Sequence, residues 1–330
     1  MKEFKIQSNE AGQRFDKYLK KLLKDANSSF IYKMLRKKNI VLNGKKADGT
    51  EKLAVGDEVK LFLADDTFEK FHGASQNAKV FDEYASIPGN KLSIVYEDED
   101  VLIINKPAGM LSQKAKLEDI SANEYIIAYL IQNKKLTEEA LTTFKPSICN
   151  RLDRNTSGLL IAGKTLKGLQ EMSAALKERN SEQGVQKYYR CIVSGVLKEK
   201  TYLKGYLLKD ERTNKVTVSK TKPANTNEEW LPIETEYRPI TSINGFTELE
   251  VHLITGRSHQ IRAHLASIGH PIIGDTKYGS KTINERFGKE VRLRAQLLHA
   301  YRIVFADGRE VIAPTPKQYD NVWEYIEEKA

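Results

Sequence analysis

The 330-residue chain contains only two cysteines, Cys149 and Cys191, and no apolar run that approaches the length of a membrane span. Two cysteines are too few for a disulfide framework or for a cysteine-based metal site. The first residues, Met-Lys-Glu-Phe-Lys, do not form the apolar core of a secretion signal. We therefore expect a monomeric protein of the reducing cytoplasm that has no contact with a membrane.

Signatures of cofactor and metal binding are also missing. No GxGxxG stretch follows a predicted strand, and there is no Walker phosphate loop. Five of the six histidines lie between His252 and His299. However, His259 and His264 are five residues apart with no glutamate between them, so the HExxH arrangement of zinc enzymes is absent. We expect neither a cofactor nor a metal ion.

The net charge of +9 is concentrated at the amino end of the chain. Residues 1–63 contain 15 lysines and arginines against 8 acidic residues, a balance of +7, which leaves +2 for all the other residues. A local cationic excess of this kind attracts polyanions. The sequence thus predicts that the first fifth of the chain binds a polyanion.

The length predicts two domains, which we place at 1–63 and 89–330. Residues 64–88 show no clear period, so we predict a linker there with at most a helical turn. In the first domain the apolar spacing predicts two helices, the second capped by Ser28 or Ser29, and Asn43-Gly44 predicts a hairpin. The candidate polyanion contacts are the exposed cations of the second helix and of the hairpin: Lys33, Arg36, Lys37, Lys38 and Lys45.

From Leu92 onward, short β-rich runs are interrupted by a few helical patterns. This order predicts an α+β fold with a mixed, mainly antiparallel sheet and flanking helices. The predicted strands are 92–97, 101–104, 157–162, 188–194, 215–219, 233–240, 246–254 and 297–305. The predicted helices are 119–132, 166–179, 258–268 (capped by Ser258 and ending at Gly269) and 317–328.

One aspartate lies between two arginines, in the order Arg151, Asp153, Arg154. The guanidinium groups favour the ionised carboxylate and supply forked donors for phosphates. The apolar run 159–163 follows and predicts a buried strand. An anionic side chain on a loop at a strand edge, beside phosphate-binding cations, indicates chemistry on a nucleic acid.

Three other segments supply candidate side chains. Tyr188 and Tyr189 fall on opposite faces of a predicted strand, so one ring can face a cleft and stack on a base. Arg262 lies beside the apolar stripe of a predicted helix, where a partly buried arginine needs an anion such as Asp153. Alternatively, Arg262 pairs with a structural acid or lies on the surface. Leu297 either lines a cleft wall or packs in the core.

Several ordered motifs resemble the RluA-type pseudouridine synthases. They are NKPAG at 105–109, NRLDRNTSGL at 150–159, GRSHQIRAH at 256–264, GHPIIGD with KYG within 269–279, and LHA at 298–300. The resemblance covers about residues 92–315. Residues 12–63 resemble the αL RNA-binding module of a small-subunit ribosomal protein, an arrangement typical of the branch that acts on large-subunit rRNA.

The resemblance implies the pseudouridine synthase fold and a role for each candidate. Asp153 would be the catalytic carboxylate, Tyr189 would lie beneath the flipped base, and Arg262 would pair with Asp153. Arg151 would enter the RNA stack and help to expel the uridine, and Leu297 would line the pocket. Apart from the resemblance, we expect Arg154 to contact a phosphate or the loop. The isomerisation imports no group and changes no redox state, so it requires neither a nicotinamide cofactor nor a metal ion.

The chain departs from the family pattern at Asn150, where histidine is usual, at Asn155, where aspartate is common, and at Ser112-Gln113. The same chemistry on tRNA is one alternative. A non-catalytic ribosome-assembly factor is another, but it would be expected to lose at least one of Asp153, Tyr189 and Arg262. An RNA methyltransferase would need a glycine-rich cofactor loop, which we do not find.

Overall fold

The computed structural model describes residues 1–72, 74–88, 92–178, 184–224 and 228–329. The chain forms two compact units. The first unit contains Met1–Ile103, Gln113–Asn150 and Ile161–Ser173, and the second contains Ile104–Ser112, Arg151–Leu160 and Ala174–Ala330. No helix among the described residues is long and apolar enough to cross a bilayer.

The amino-terminal part of the first unit is a small four-stranded antiparallel sheet with helices. Its elements are β1 (Lys2–Lys5), α1 (Phe15–Leu22), α2 (Ser28–Arg36), β2 (Ile40–Leu42), β3 (Lys45–Lys46), β4 (Glu58–Leu61), α3 (Asp65–His72) and α4 (Ala74–Ala85). The strand order is β1-β4-β2-β3. Asn43 and Gly44 have φ values of 51° and 71°, which is the geometry of the hairpin that their sequence predicts.

Two details of this part differ from the sequence prediction. The side chain of Asn27, and not that of Ser28 or Ser29, caps α2 by accepting the Phe30 amide at 2.8 Å. Two helices, α3 and α4, occupy most of the segment predicted as a linker. Phe68 of α3 is buried in the same hydrophobic cluster as residues of α1 and α2. Phe71 of α3 is partly buried against the same cluster, and two apolar positions give too weak a period to be seen in the sequence.

The first unit also contains β5 (Ser93–Glu97) and the beginning of β6 (Val101–Lys106), which pair with each other, together with five further elements. They are α5 (Ala122–Gln132), α6 (Glu138–Thr143), β7 (Ser147–Ile148), the end of β8 (Ser157–Gly163) and most of α7 (Leu166–Ala175). Position 179, the last of the predicted helix at 166–179, lies outside the described residues.

The second unit contains most of a large sheet. Its further strands are β9 (Gln186–Ser194), β10 (Thr201–Asp210), β11 (Lys215–Ser219), β12 (Leu231–Ile243), β13 (Phe246–Leu253), β14 (Leu298–Val304) and β15 (Glu310–Ile312). Its helices are α8 (Gln260–Ser267), α9 (Lys281–Glu290) and α10 (Lys317–Glu328). The order is β11-β10-β12-β13-β9-β14-β8, with β14 and β8 parallel and the other pairs antiparallel. The predicted mixed, mainly antiparallel α+β fold is confirmed.

The second unit also differs from the sequence prediction, which contained neither β10, α9 nor β15. Strand β10 was not predicted, because Lys204 and Gly205 interrupt its apolar alternation. Helix α9 was not predicted, because Phe287 is its one buried residue. The residue that precedes α8 is His259, in a left-handed conformation with φ of 54°, so Ser258 is not the cap. The predicted end of α8 at Gly269 is confirmed.

Candidate active site

Asp153 lies on the loop that leads into β8, and its side chain is 25% exposed. The backbone is fixed by hydrogen bonds before Asp153 and by close packing after it. The Ser112 hydroxyl accepts the Leu152 amide at 3.0 Å and donates to the Leu152 carbonyl at 2.8 Å. After Asp153, Gly158 has φ of +113°, and a Cβ atom there would lie 2.2 Å from the Ala300 carbonyl oxygen. The loop therefore presents its carboxylate from a rigid backbone.

A fully buried lysine ties this loop to the NKPAG motif. Lys106 Nζ donates to the carbonyls of Pro107, Met110 and Arg154 at 3.0, 2.8 and 3.1 Å. Burial lowers the pKa of Lys106 to about 7, while the nearby charge of Asp153 acts in the opposite direction. The sequence drew attention to the motif but not to this function of its lysine.

Arg262 of α8 is the ionic partner of Asp153. Its Nη1 donates to Asp153 Oδ2 at 2.7 Å, and its side chain is only 6% exposed. The same guanidinium holds a second carboxylate, since Nε and Nη2 donate to the two oxygens of Asp275 at 2.7 and 2.9 Å. The contact of Arg262 with Asp153 is confirmed. The structural acid that the sequence offered as the alternative is present as well.

The electrostatics of this trio follow from burial and pairing. Burial alone would lower the pKa of Arg262, but the two carboxylates outweigh it and raise that pKa. Burial alone would raise the pKa of Asp275, but the hydrogen bonds from Arg262 outweigh it and lower that pKa. Buried opposite charges that are hydrogen-bonded to one another keep both groups ionised.

His259 and Tyr278 complete the surroundings of the trio. His259 Nε2 lies 3.9 Å from Asp153 Oδ2, and its Nδ1 lies 2.9 Å from the Tyr278 hydroxyl. The Tyr278 hydroxyl oxygen accepts a hydrogen bond from the Val216 amide, so the hydroxyl proton can be donated to His259 Nδ1. A neutral His259 then carries its own proton on Nε2. Burial lowers the pKa of His259, and Asp153 opposes this. The Tyr278 ring lies 5.2 Å from the Arg262 guanidinium.

Tyr189 is buried on β9, on the face opposite to Tyr188, as the strand alternation predicts. Tyr188 is engaged on its own face, because it stacks on His252 at 4.7 Å and lies 4.1 Å from the Arg302 guanidinium. Leu297 is buried in a cluster with Ile273 and α10 residues. Of the two positions that the sequence allowed, the structure thus shows packing in the core. A role of Tyr189 or Leu297 in base binding stays a prediction.

The arginines beside Asp153 have exposed side chains, and neither Arg151 nor Arg154 forms an ion pair with any residue that the structure describes. Asn150 belongs to the first unit, where its Oδ1 accepts the Ile161 amide at 2.8 Å. The residue that replaces the usual histidine thus supports β8 from its side chain.

The basic candidates of the amino-terminal part all lie at the surface. Lys33 and Arg36 are exposed on α2, Lys37 and Lys38 directly follow it, and Lys45 is exposed on β3. No ion pair within the described part of the chain involves them. Their charges are therefore available to an external anion.

Three residues of the site that were not predicted as functional lie in motifs that the sequence shows. Asp275 belongs to the quoted GHPIIGD motif, Tyr278 to KYG and His259 to GRSHQIRAH, but no role was assigned to any of them. Within the described ranges, no three histidine, cysteine or acidic side chains are grouped closely enough to hold a metal ion.

Comparison with known proteins gives consistent results. The sequence model of the family described as RNA pseudouridylate synthase matches residues 100–267. The chain is 30% identical over 323 residues to "Ribosomal large subunit pseudouridine synthase C" of Vibrio vulnificus (strain CMCP6), covering 96% of this chain and 94% of the relative. It is 31% identical over 317 residues to the protein of the same name from Rickettsia bellii (strain RML369-C), covering 86% and 94%.

Two solved structures share the fold. "Human RNA Pseudouridylate Synthase Domain Containing 4" has a TM-score of 0.58 at 17% identity, covering 77% of this chain and 98% of that chain. "Human RNA Pseudouridylate Synthase Domain Containing 1" has a TM-score of 0.53 at 22% identity, covering 69% and 85%. At these identities the likeness concerns the fold alone.

Proposed function

The chain belongs to the RluA family of RNA pseudouridine synthases, and from that premise we propose that it isomerises specific uridines of large-subunit rRNA with Asp153 as the catalytic carboxylate. The substrate is taken from the names of the relatives. The observation that supports the role of Asp153 is its contact with Arg262 at 2.7 Å on a loop that leaves the carboxylate partly exposed. No cofactor has a part in this proposal.

The reaction exchanges one bond of the uridine for another. The bond between uracil N1 and ribose C1′ breaks, the base turns, C5 joins C1′, and the proton of C5 is lost while N1 gains one. Arg262 holds one oxygen of Asp153 and stabilises its negative charge, so the carboxylate can act on the ribose or the base, or accept a proton. Hydrogen-bonding of Nη1 to Oδ2 also fixes the direction of the other oxygen.

The uridine must leave the RNA stack before it can reach Asp153, at a cost of about a few kcal/mol. We assign Arg151 to the displacement of the base, Tyr189 to stacking beneath it, Leu297 to the pocket wall and Arg154 to a phosphate. The first and last of these assignments are supported by the exposed guanidinium groups of Arg151 and Arg154, which form no ion pair with any described residue. Family resemblance supports the other two.

The amino-terminal region acts as an αL-type module that holds structured RNA by its phosphates. The exposed cations around α2 and β3 support this assignment: Lys33, Arg36, Lys37, Lys38 and Lys45. We place the protein in the cytoplasm as a monomer, with domain boundaries near residues 63 and 88, as the sequence predicts.

The test compares pseudouridine maps of total RNA from cells with the protein, without it, and with the Asp153→Asn variant. We expect sites in large-subunit rRNA to disappear without the protein and to stay absent with Asp153→Asn. The purified variant should bind RNA with near wild-type affinity, because only one carboxylate oxygen is replaced. Asp307→Asn, at an exposed turn, is the control and should restore every site.

Each other result points to an alternative. Sites lost only from tRNA would identify tRNA as the substrate. A map that does not change without the protein would favour the non-catalytic assembly factor. Pseudouridine made by Asp153→Asn would contradict the catalytic assignment.

A further inference from the structure

We propose that Asp275 is a positioning residue for the reaction, which acts through Arg262 to fix the direction of the guanidinium and to limit how strongly it stabilises the ionised Asp153. The inference rests on the proposed role of Asp153. Asp275 lies in the GHPIIGD motif, for which the sequence predicted no function.

The geometry of the pair supports a positioning role. Asp275 is completely buried, and it engages Arg262 through two parallel hydrogen bonds, to Nε and Nη2. A guanidinium is planar, so two bonds to one edge fix its plane and leave Nη1 a single direction. In that direction lies Asp153 Oδ2, at 2.7 Å.

Asp275 is itself held independently of Arg262. Its Oδ1 accepts the backbone amides of Lys277 and Tyr278 at 2.9 and 3.1 Å. Asn284 of α9 donates to the Asp275 carbonyl at 2.8 Å and accepts the Gly274 amide at 2.8 Å. The carboxylate is therefore anchored to a turn, and the longer, rotatable arginine side chain takes its orientation from it.

The charge of Asp275 also affects Asp153, because both carboxylates pair with Arg262. One guanidinium is shared by two carboxylates, so the negative charge of Asp275 offsets part of the positive charge that Asp153 experiences. If Asp275 were neutral, the whole charge of Arg262 would stabilise the ionised form of Asp153. The low-pH side of the profile of kcat against pH, its acid limb, would then move to lower pH.

Other titratable groups face the same carboxylate: Lys106, His259, Lys277 and Tyr278. Burial lowers the pKa of Lys106 to about 7, so this lysine is protonated throughout the acid limb. Burial also lowers the pKa of Lys277 and raises that of Tyr278, and neither changes charge at acid pH. Of these four groups, His259 is the one that can gain a proton at acid pH, and the experiment must separate its contribution.

The experiment measures kcat, KM and the pH profile of the full chain on an RNA substrate for Asp275→Asn. We expect kcat to fall about 10-fold to 100-fold because the guanidinium loses its fixed direction. We expect KM to stay near wild type and the acid limb to move down by about one pH unit. The same shift should persist when Asp275→Asn is combined with His259→Gln.

Two more variants separate charge, position and stability. Asp275→Glu keeps the charge but displaces the guanidinium, so kcat should fall while the acid limb stays in place. Asn284→Ala loosens the same turn without removing a charge, so the melting temperature should fall while the pH profile stays as in the wild type. If Asp275→Asn does not fold, Asp275→Glu decides between a positioning role and none.

A folded Asp275→Asn or Asp275→Glu variant with wild-type kcat would overturn the proposal, and so would an equal shift of the acid limb in Asn284→Ala. A parallel assay of Asp153→Asn distinguishes failure of the proposed function from failure of the inference about Asp275. Activity in Asp153→Asn would remove the proposed function itself. An inactive Asp153→Asn beside a fully active Asp275→Asn would remove only the inference.

Discussion

At the scale of single residues, two charged side chains that support Asp153, Lys106 and Arg262, are buried and hydrogen-bonded. Lys106 is bonded to three carbonyls, and Arg262 is bonded to two carboxylates. A buried charge without such partners would cost several kcal/mol, so each of these residues requires its neighbours to be in place. The loop around Asp153 is ordered by this requirement.

The two arginines that flank Asp153 offer a matched pair of variants. Arg151→Ala should slow the turnover of a folded RNA hairpin at least about 10-fold, because part of the flipping cost of a few kcal/mol is no longer offset. Arg154→Ala removes the same exposed group and should weaken binding with little change in kcat. Single-turnover rates on the hairpin and on an unstructured strand of the same target sequence provide the measurement.

The unstructured strand is the critical comparison, because its base is already out of a stack. Arg151→Ala should regain most of its rate there. Equal losses for the two variants on both substrates would mean that Arg151 has no special part in displacing the base.

At the scale of elements, α2 shows how one helix serves two purposes. Ile31, Met34 and Leu35 are buried in the hydrophobic cluster, whereas Lys33 and Arg36 point to solvent. The spacing of three and four residues places the apolar side chains on one face, so the cations necessarily occupy another. The packing of the helix is thus independent of its charged surface.

This independence permits a test on the intact chain. Changing Lys33, Arg36, Lys37 and Lys38 together to glutamine should weaken RNA binding and leave the free energy of unfolding nearly unchanged. If each contacts a phosphate, the slope of log affinity against log salt should decrease by about 3. Affinity titrations at several salt concentrations, with denaturation curves, supply both quantities.

A control with the same change of net charge is available in the second unit. Lys200, Lys204, Lys209 and Arg238 are each paired with a glutamate. Changing these four to glutamine should leave the salt slope as it is in the wild type. A decrease of equal size in both variants would show that net charge, and not the α2 surface, determines binding.

At the scale of the whole molecule, buried neutral histidines make stability depend on pH. His299 is fully buried, with Nδ1 2.8 Å from the Ser157 hydroxyl and Nε2 3.4 Å from the Ala313 carbonyl, which suits the neutral ring. His264 is also buried, beside the Thr235 hydroxyl. Burial lowers the pKa of both rings from 6.5 to about 4.

The sign of the effect follows from these values. As the pH falls below 6.5 the unfolded chain binds protons at both histidines, whereas the folded chain does not until the pH is near 4. The free energy of unfolding should therefore decrease over this window, by about 2 kcal/mol per histidine at pH 5. Denaturant titrations at pH 7 and pH 5 measure the loss, and His299→Gln should reduce it.

Between pH 7 and pH 8 the folded chain keeps both histidines neutral and the unfolded chain loses only about a fifth of a proton from each, which provides an internal control. Over that range each histidine should change the free energy of unfolding by only about 0.1 kcal/mol. An equal loss of stability between pH 7 and pH 5 in the wild type and in His299→Gln would contradict the prediction for His299.

The sequence by itself determined the features that depend on local order. It located most strands of the large sheet, the hairpin at Asn43-Gly44, the basic surface of α2 and the need of Arg262 for an anionic partner. Periodicity, turn chemistry and the need of a partly buried charge for a partner are properties of a short segment, and they leave a clear pattern.

Only the tertiary structure decided what depends on distant parts of the chain. Asp275 occurs in a Gly-Asp pair that is typical of a surface turn, and nothing local shows that it is buried against Arg262. The same is true of Lys106, whose sequence does not show that its ammonium bonds the carbonyl of Arg154. Burial and pairing are set by the packing of segments that are far apart in sequence, so the supports of Asp153 became visible only in the folded chain.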